Sequence, residues 1–274
     1  MIDDAISTGT TDLTSLAPQW QLLDSGYRTL QSVGARPSPI FHARMFDEAQ
    51  IAGHRVYMSV ERFLAIARDN HRALVSLLGS AHGLSLSAPW NLLRATFEAS
   101  FYAAWILDPE DGIERRQRAL RVEVMDEREH ALYYKDLLPV LDEGNEGDAS
   151  LLQREFAKAA ARNEAVYRRE AVEMGLSYPP AGPKILEELS RLSCARDGEH
   201  EGVMFQAIWK ALSGLAHCRI GAYLRASDKS ASRSVPGGFH AVLSVNDDYF
   251  LSIAGAVNTL HLEAVQLLLR RSQP

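Results

Sequence analysis

Apolar residues recur at three- and four-residue steps from one end of this chain to the other, the rhythm of helices that each bury one face. Val56, Val60, Phe63, Ile66, Leu74 and Leu78 carry it through a helix predicted over about 46–80. Pro18 suits the first turn of an earlier helix that runs to about Val33, before the loop Arg36-Pro37-Ser38-Pro39. Ser87 as a cap and Pro89 in the first turn open a helix to Leu107, and Asp108-Pro109 closes it. A highly charged helix follows over about 111–138, then an acidic, Gly-containing loop at 142–148 and a helix over 150–174 with Ser150 as its cap. Pro179, Pro180 and Pro183 set off a short helix at 184–193. An apolar helix is predicted over about 203–224, and the last one runs from Asn246 or Asp247 to Arg271. Residues 1–17 read as a flexible lead-in. Residues 226–245, Ser- and Gly-rich and mildly basic with Lys229 and Arg233, read as a surface loop, because the strand-like run Ala241–Val245 is too short to build a sheet. With no composition break and no repeat, the pattern predicts an all-α fold, a single domain over 1–274 built as a bundle of about seven helices.

Two of these helices are apolar round most of their circumference and are expected at the centre. Between 90 and 107 the only charged side chains are Arg94 and Glu98; between 203 and 224 they are Lys210 and Arg219. Arg94 and Glu98 stand at i and i+4 among Trp90, Phe101 and Trp105, and Ser213 and His217 repeat that spacing on the second helix. Polar groups inside a core need partners, so the four side chains are expected to meet in one cluster. Such a cluster either fixes the register of two core helices or forms a ligand site. With the ion pair fully buried, Glu98→Ala would destabilise by about 3–5 kcal/mol, because it strands the Arg94 charge.

Composition narrows the setting. A chain of 274 residues can bury a core large enough to need neither disulfide nor metal. Its formal net charge of −6 argues against a general nucleic-acid or anionic-membrane binder. The first residues have no basic and apolar signal pattern, and the longest apolar stretch, Ala99–Leu107, is far short of a bilayer span. Cys194 and Cys218, without CxxC spacing, read as reduced thiols, and a cytoplasmic location follows.

Chemical signatures are fragmentary. A di-iron site in a helical bundle needs two Glu-x-x-His motifs and two further glutamates. Glu127 and His130 supply one motif and Glu123 or Glu98 an extra ligand, but the second motif is missing, since Asp197-x-x-His200 falls beside Gly198 in a turn. A solvated helix face explains Glu123, Glu127 and His130 equally, and no cofactor or metal is implied. Asp108-Pro-Glu-Asp111 and Asn246-Asp247-Asp248 echo magnesium–diphosphate clusters but match ordinary helix capping. The basic run from Arg115 to Arg121 reads as a solvated face that could touch phosphate. His54, His71 and His261 read as lone structural histidines. Ser213 and His217 lack a third residue and an oxyanion hole for hydrolysis.

The runs Arg94-x-x-x-Glu98, Trp105-Ile-Leu-Asp-Pro109, Glu114-Arg115-x-x-Arg118 and Leu212-Ser213-x-x-x-His217 resemble an uncharacterised all-helical family common in actinobacteria, set loosely near the HEPN-type helical domains. The resemblance spans about residues 87–225. It implies an all-helical fold, marks Arg94, Glu98, Ser213 and His217, and carries no established activity. HEPN-type ribonucleases use an Arg-x4–6-His pattern on a helix; here that spacing occurs only at Arg36…His42 and Arg233…His240, both in predicted loops. The expected function is therefore a helical binding or regulatory protein with an internal Arg/Glu/Ser/His site. The alternative is an enzyme, either a HEPN-like ribonuclease or a bundle enzyme acting on a small molecule. A small-molecule ligand, a protein partner and self-association all stay open.

Overall fold

A computed structural model describes residues 13–34, 42–80, 85–142, 146–196 and 200–273. The fold is all-α with one added β-hairpin. A 3₁₀ turn, Leu13–Leu16, leads into α1 (Ala17–Gly34), followed by the short α2 (Ala43–Glu48) and the long α3 (Gly53–Ser80). Then come α4 (Ala88–Leu107), α5 (Gly112–Asp142), α6 (Glu146–Glu173), α7 (Ile185–Leu189), α8 (Ser193–Arg196), α9 (Glu201–Ala216) and α10 (Ile220–Arg225). The strands β1 (Ser227–Val235) and β2 (Gly238–Val245) precede the last helix, α11 (Asp247–Ser272). The described residues thus hold eleven α-helices where the sequence pattern predicts about seven.

The eight helical segments read from the sequence become eleven because three of them break in two. The helix expected over 46–80 is interrupted at 49–52, where Ala52 takes a positive φ of 57°. Gly53 then opens α3 because a side chain there would overlap the carbonyl oxygen of Asp47. The short helix expected at 184–193 is split into α7 and α8. The helix expected over 203–224 stops at Ala216, where Cys218 sits in the left-handed region at φ 53°. There the N–H of Arg219 donates to Gly214 O at 2.9 Å and that of Cys218 to Leu215 O at 3.0 Å. That pair of bonds is a Schellman stop, with cysteine where glycine is usual.

Two further expectations change. Residues 226–245 are not a loop: β1 and β2 pair antiparallel round Pro236-Gly237, with Gly237 at φ 84° and an irregularity in register between Lys229 and Ala231. Of residues 1–17, expected as a flexible lead-in, 1–12 lie outside the described residues, and 13–17 are helical with Leu16 buried in the core.

α4 lies at the centre. It packs on α3 and α11 most extensively and on α9 and α5 at its flanks. Trp90, Leu93, Phe97, Phe101, Ala104 and Trp105 bury its inner faces. α9 is less central than its composition suggests: Phe205, Ile208, Leu212 and Leu215 pack inward, while Val203, Met204 and Lys210 face solvent. α11 is apolar and long enough to cross a membrane by composition alone, yet most of it is buried against α1 and α4. Its start is capped as the sequence indicates, with Asn246 Oδ1 accepting the Tyr249 N–H at 2.8 Å, and Arg270 and Arg271 complement the dipole at its end. Ser87 occupies the cap position of α4 without making a capping bond; Ser85 Oγ accepts the Ala88 N–H instead. A smaller cluster of Ala52, Leu120, Val124, Tyr167, Ala171 and Met174 roots the α5–α6 pair on the body.

Candidate functional site

The four side chains singled out by spacing do not form one bonded cluster. Arg94 Nε lies 3.5 Å from Glu98 Oε2, and the two side chains are 23 % and 33 % exposed, so this is a half-buried pair. They stand beside Asn91, Ala95 and Tyr102 on the one side of α4 that the core leaves open. The guanidinium of Arg94 lies 5.5 Å from the Trp209 ring centre, and Phe97 meets Phe205, so α4 and α9 run antiparallel. Ser213 and His217 follow Trp209 by one and two turns, about 6 and 12 Å of helical rise toward the start of α4. His217 is exposed at the end of α9, and no hydrogen bond or ion pair joins it or Ser213 to Arg94 or Glu98 among the described residues. Arg94 Nη1 is buried with no hydrogen-bond partner among them.

The metal candidates are engaged elsewhere. Glu123 accepts from Ser59 Oγ at 2.7 Å and lies 3.6 Å from Arg55 and 3.5 Å from Arg62. Arg55 in turn grips Glu170 with two bonds, at 2.7 and 3.2 Å. Glu127 accepts from Asn163, and His130 is exposed with its ring edge-on to Tyr134 and Phe156. Among the described residues no three or more His, Cys, Asp or Glu side chains are grouped to hold a metal ion. Asp108 accepts from the N–H and hydroxyl of Ser193, and Asp111 accepts the Ile113 N–H, which is helix capping. The hairpin sets Arg233 directly opposite His240, both exposed; Arg36 lies outside the described residues.

The basic run on α5 is not a solvated face at its start. Arg115 and Arg116 are buried. Arg115 donates to both carboxylate oxygens of Asp47, at 2.7 and 2.9 Å, and to the carbonyls of Pro109 and Glu110. Tyr57 donates to the same carboxylate at 3.0 Å. This knot ties α2, α3 and the α4–α5 turn together. The missed signal was positional, since Arg115 and Arg116 sit one turn before the buried Ala119 and Leu120.

A second knot joins histidines that read as solitary. The Tyr27 hydroxyl lies 2.6 Å from His261 Nε2 and donates to Leu64 O at 2.9 Å. His71 stands edge-on to His261 with ring centres 5.8 Å apart, and Trp20 stands edge-on to His71. Burial lowers the His261 pKa to about 3, with His71 adding to the effect, and burial lowers that of His71 against the opposing charge of Asp24. Burial raises the Tyr27 pKa, against the guanidinium of Arg68. Both rings are neutral at pH 7, and His261 is 0 % exposed, out of reach of any substrate.

Above this knot opens a cleft of about 800 Å³ between α1, α2, α3 and the end of α11. Tyr27, Leu30, Leu64 and Leu268 line it on the apolar side, and His42, Arg44, Glu61, Arg68 and Arg72 on the polar side. Ser272, in the last turn of α11, also lines it; the residue is 7 % exposed, and its hydroxyl is buried with no partner among the described residues. His42 caps α2, with Nδ1 accepting the Met45 N–H at 3.4 Å. No local pattern could have shown this cleft, because its walls come from residues 27–72 and 268–272. The chain matches no protein-family model, no curated protein and no solved structure.

Proposed function

We propose that the protein is a helical binding or regulatory protein, cytoplasmic, that takes a small molecule in the cleft between α1, α2, α3 and α11. The observation that carries this reading is the cleft's volume together with its lining. A cleft of about 800 Å³ matches the size of small-molecule sites. The mixture of leucines with a few convergent polar side chains is the composition of such sites. The Arg94, Glu98, Ser213 and His217 region is secondary in this reading, since only the first two of these side chains pair.

The test uses a neutral probe. Nile red should bind once per chain with a blue-shifted, brighter emission. Ala65→Trp, which adds bulk to an exposed position on the cleft wall, should abolish the signal, while Gln153→Trp on the exposed face of α6 should leave it intact. Absence of binding, or binding indifferent to Ala65→Trp, would overturn the reading. Cleavage of total RNA by the purified protein, lost in Arg233→Ala or His240→Ala, would replace it with the HEPN-type nuclease reading.

A further inference from the structure

The charges lining the cleft are unevenly satisfied. Next to α2, Arg44 donates to Glu48 at 2.8 Å and to Glu61 at 2.7 Å, so both carboxylates there are engaged by one guanidinium. Farther along α3, Arg68 and Arg72 stand at i and i+4 on one face, and neither makes a hydrogen bond or ion pair among the described residues. Arg68 lies over the Tyr27 ring, 4.5 Å from its centre, which holds the guanidinium against the cleft wall without using its N–H groups. Asp69 is the cleft-lining carboxylate next to them in sequence, and among the described residues it forms no ion pair with either. Leu30, Leu64 and Leu268 supply the apolar surface next to them.

Resting on the binding reading above, we infer that the ligand is an amphiphilic organic acid. Its apolar body lies against Leu30, Leu64 and Leu268, and its carboxylate is held by Arg68 and Arg72. A guanidinium presents a planar fork of donors that matches a carboxylate, and a pair one turn apart can hold both oxygens. A cationic ligand would have to compete with Arg44 for Glu48 and Glu61, and would meet two guanidiniums without an ion-pair partner at the other end.

Octanoate and 1-octanol share a chain and differ in the headgroup, so calorimetric titration of each separates body from charge. Octanoate should bind once per chain and about tenfold or more tightly than octanol, the scale expected when charge-assisted hydrogen bonds form. Arg68→Gln with Arg72→Gln should erase that preference while leaving octanol binding unchanged; Arg72→Gln alone, at an exposed position, should reduce it in a protein whose fold is not in question. Raising the salt should weaken octanoate and spare octanol. Equal affinity for the two probes, a preference that survives the double substitution, or no binding of either overturns the inference. Nile red bound at an Ala65→Trp-sensitive site alongside such a result leaves the cleft reading standing. Loss of Nile red binding as well takes both down.

Discussion

Tyr27 and His261 meet at 2.6 Å in the interior although 234 residues separate them in sequence. The single hydroxyl proton of Tyr27 goes to Leu64 O, so His261 Nε2 must carry the proton in its bond to the tyrosine oxygen. That leaves Nδ1 as a bare lone pair, buried and unpartnered. A neutral ring satisfies this arrangement and a charged one does not, because protonation would create a second donor with nowhere to point.

A pH dependence of stability follows. The folded pKa of His261 is about 3 against an ordinary 6.5, so between those values the unfolded chain takes up a proton that the folded chain refuses. The group's full contribution to stability is present above about pH 6.5 and is lost as pH falls through this window. His71, also lowered, acts in the same direction; Tyr27, Asp24 and Arg68 are the other ionisable groups facing the pair. Urea unfolding at pH 7 and pH 5 should show stability falling by up to about 1.4 kcal/mol per pH unit for each group. His261→Gln keeps a donor for Tyr27 and does not titrate, so it should flatten that slope. An unchanged slope would sink the assignment.

The knot of Asp47, Tyr57 and Arg115 gives a second test of stability. The Asp47 and Arg115 side chains are 0 % and 3 % exposed, and every bond they make is internal. Asp47→Ala strands a buried guanidinium and should cost about 3–5 kcal/mol. Replacing both partners, Asp47→Leu with Arg115→Met, should recover much of that loss, because the uncompensated charge is gone. Gly112→Ala should also destabilise, since a Cβ there would lie 2.5 Å from Asp47 Oδ1. Chemical denaturation of the three variants checks the order; a double variant no better than Asp47→Ala would contradict it.

The same two knots show why the sequence reveals the fold class and hides the site. Helix edges that use ordinary signals are readable: Pro89 and Asp108-Pro109 bracket α4, Asn246 caps α11, and Gly175 at φ 72° ends α6. The end of α9 is not, because Cys218 takes a left-handed conformation that glycine or asparagine normally announces. The hairpin is equally hidden: β1 reads Ser-Asp-Lys-Ser-Ala-Ser-Arg-Ser-Val, with no apolar alternation to mark a strand. Local spacing also drew Arg94 and Glu98 into the core, although Asn91 and Tyr102 lie on the same open side of the helix. Tyr27, His71 and His261 come together only through tertiary packing, which no spacing rule sees.

For Arg94 and Glu98 the half-buried geometry lowers the expected cost. With the side chains 23 % and 33 % exposed and 3.5 Å apart, solvent screens the pair. Glu98→Ala should therefore destabilise by about 1 kcal/mol or less, not the 3–5 of a fully buried pair. Glu98 also faces Tyr102, whose hydroxyl pKa is pushed up to about 12, first by burial and then by Glu98 and Asp126. Removing the carboxylate should thus let Tyr102 ionise at lower pH, which a spectrophotometric titration near 295 nm reads directly. A stability loss as large as that of Asp47→Ala would show that this pair is buried after all.

The two thiols should react very differently. Both are free; Cys194 is half-buried, and burial, reinforced by Glu263, Asp108 and Glu201, pushes its pKa up to about 12. Cys218 is exposed at the α9–α10 break. Thiolate is the nucleophile, so at pH 8 a disulfide reagent such as Ellman's should modify Cys218 quickly in the native protein and Cys194 only after denaturation. Cys218→Gly removes the fast phase and also relieves the strain of a side chain in the left-handed region. It should raise stability by about 0.5–1 kcal/mol, offset in part by the greater freedom of glycine in the unfolded chain. Equal labelling rates for the two thiols, or a fast phase that survives Cys218→Gly, would show that the break between α9 and α10 does not present Cys218 to solvent.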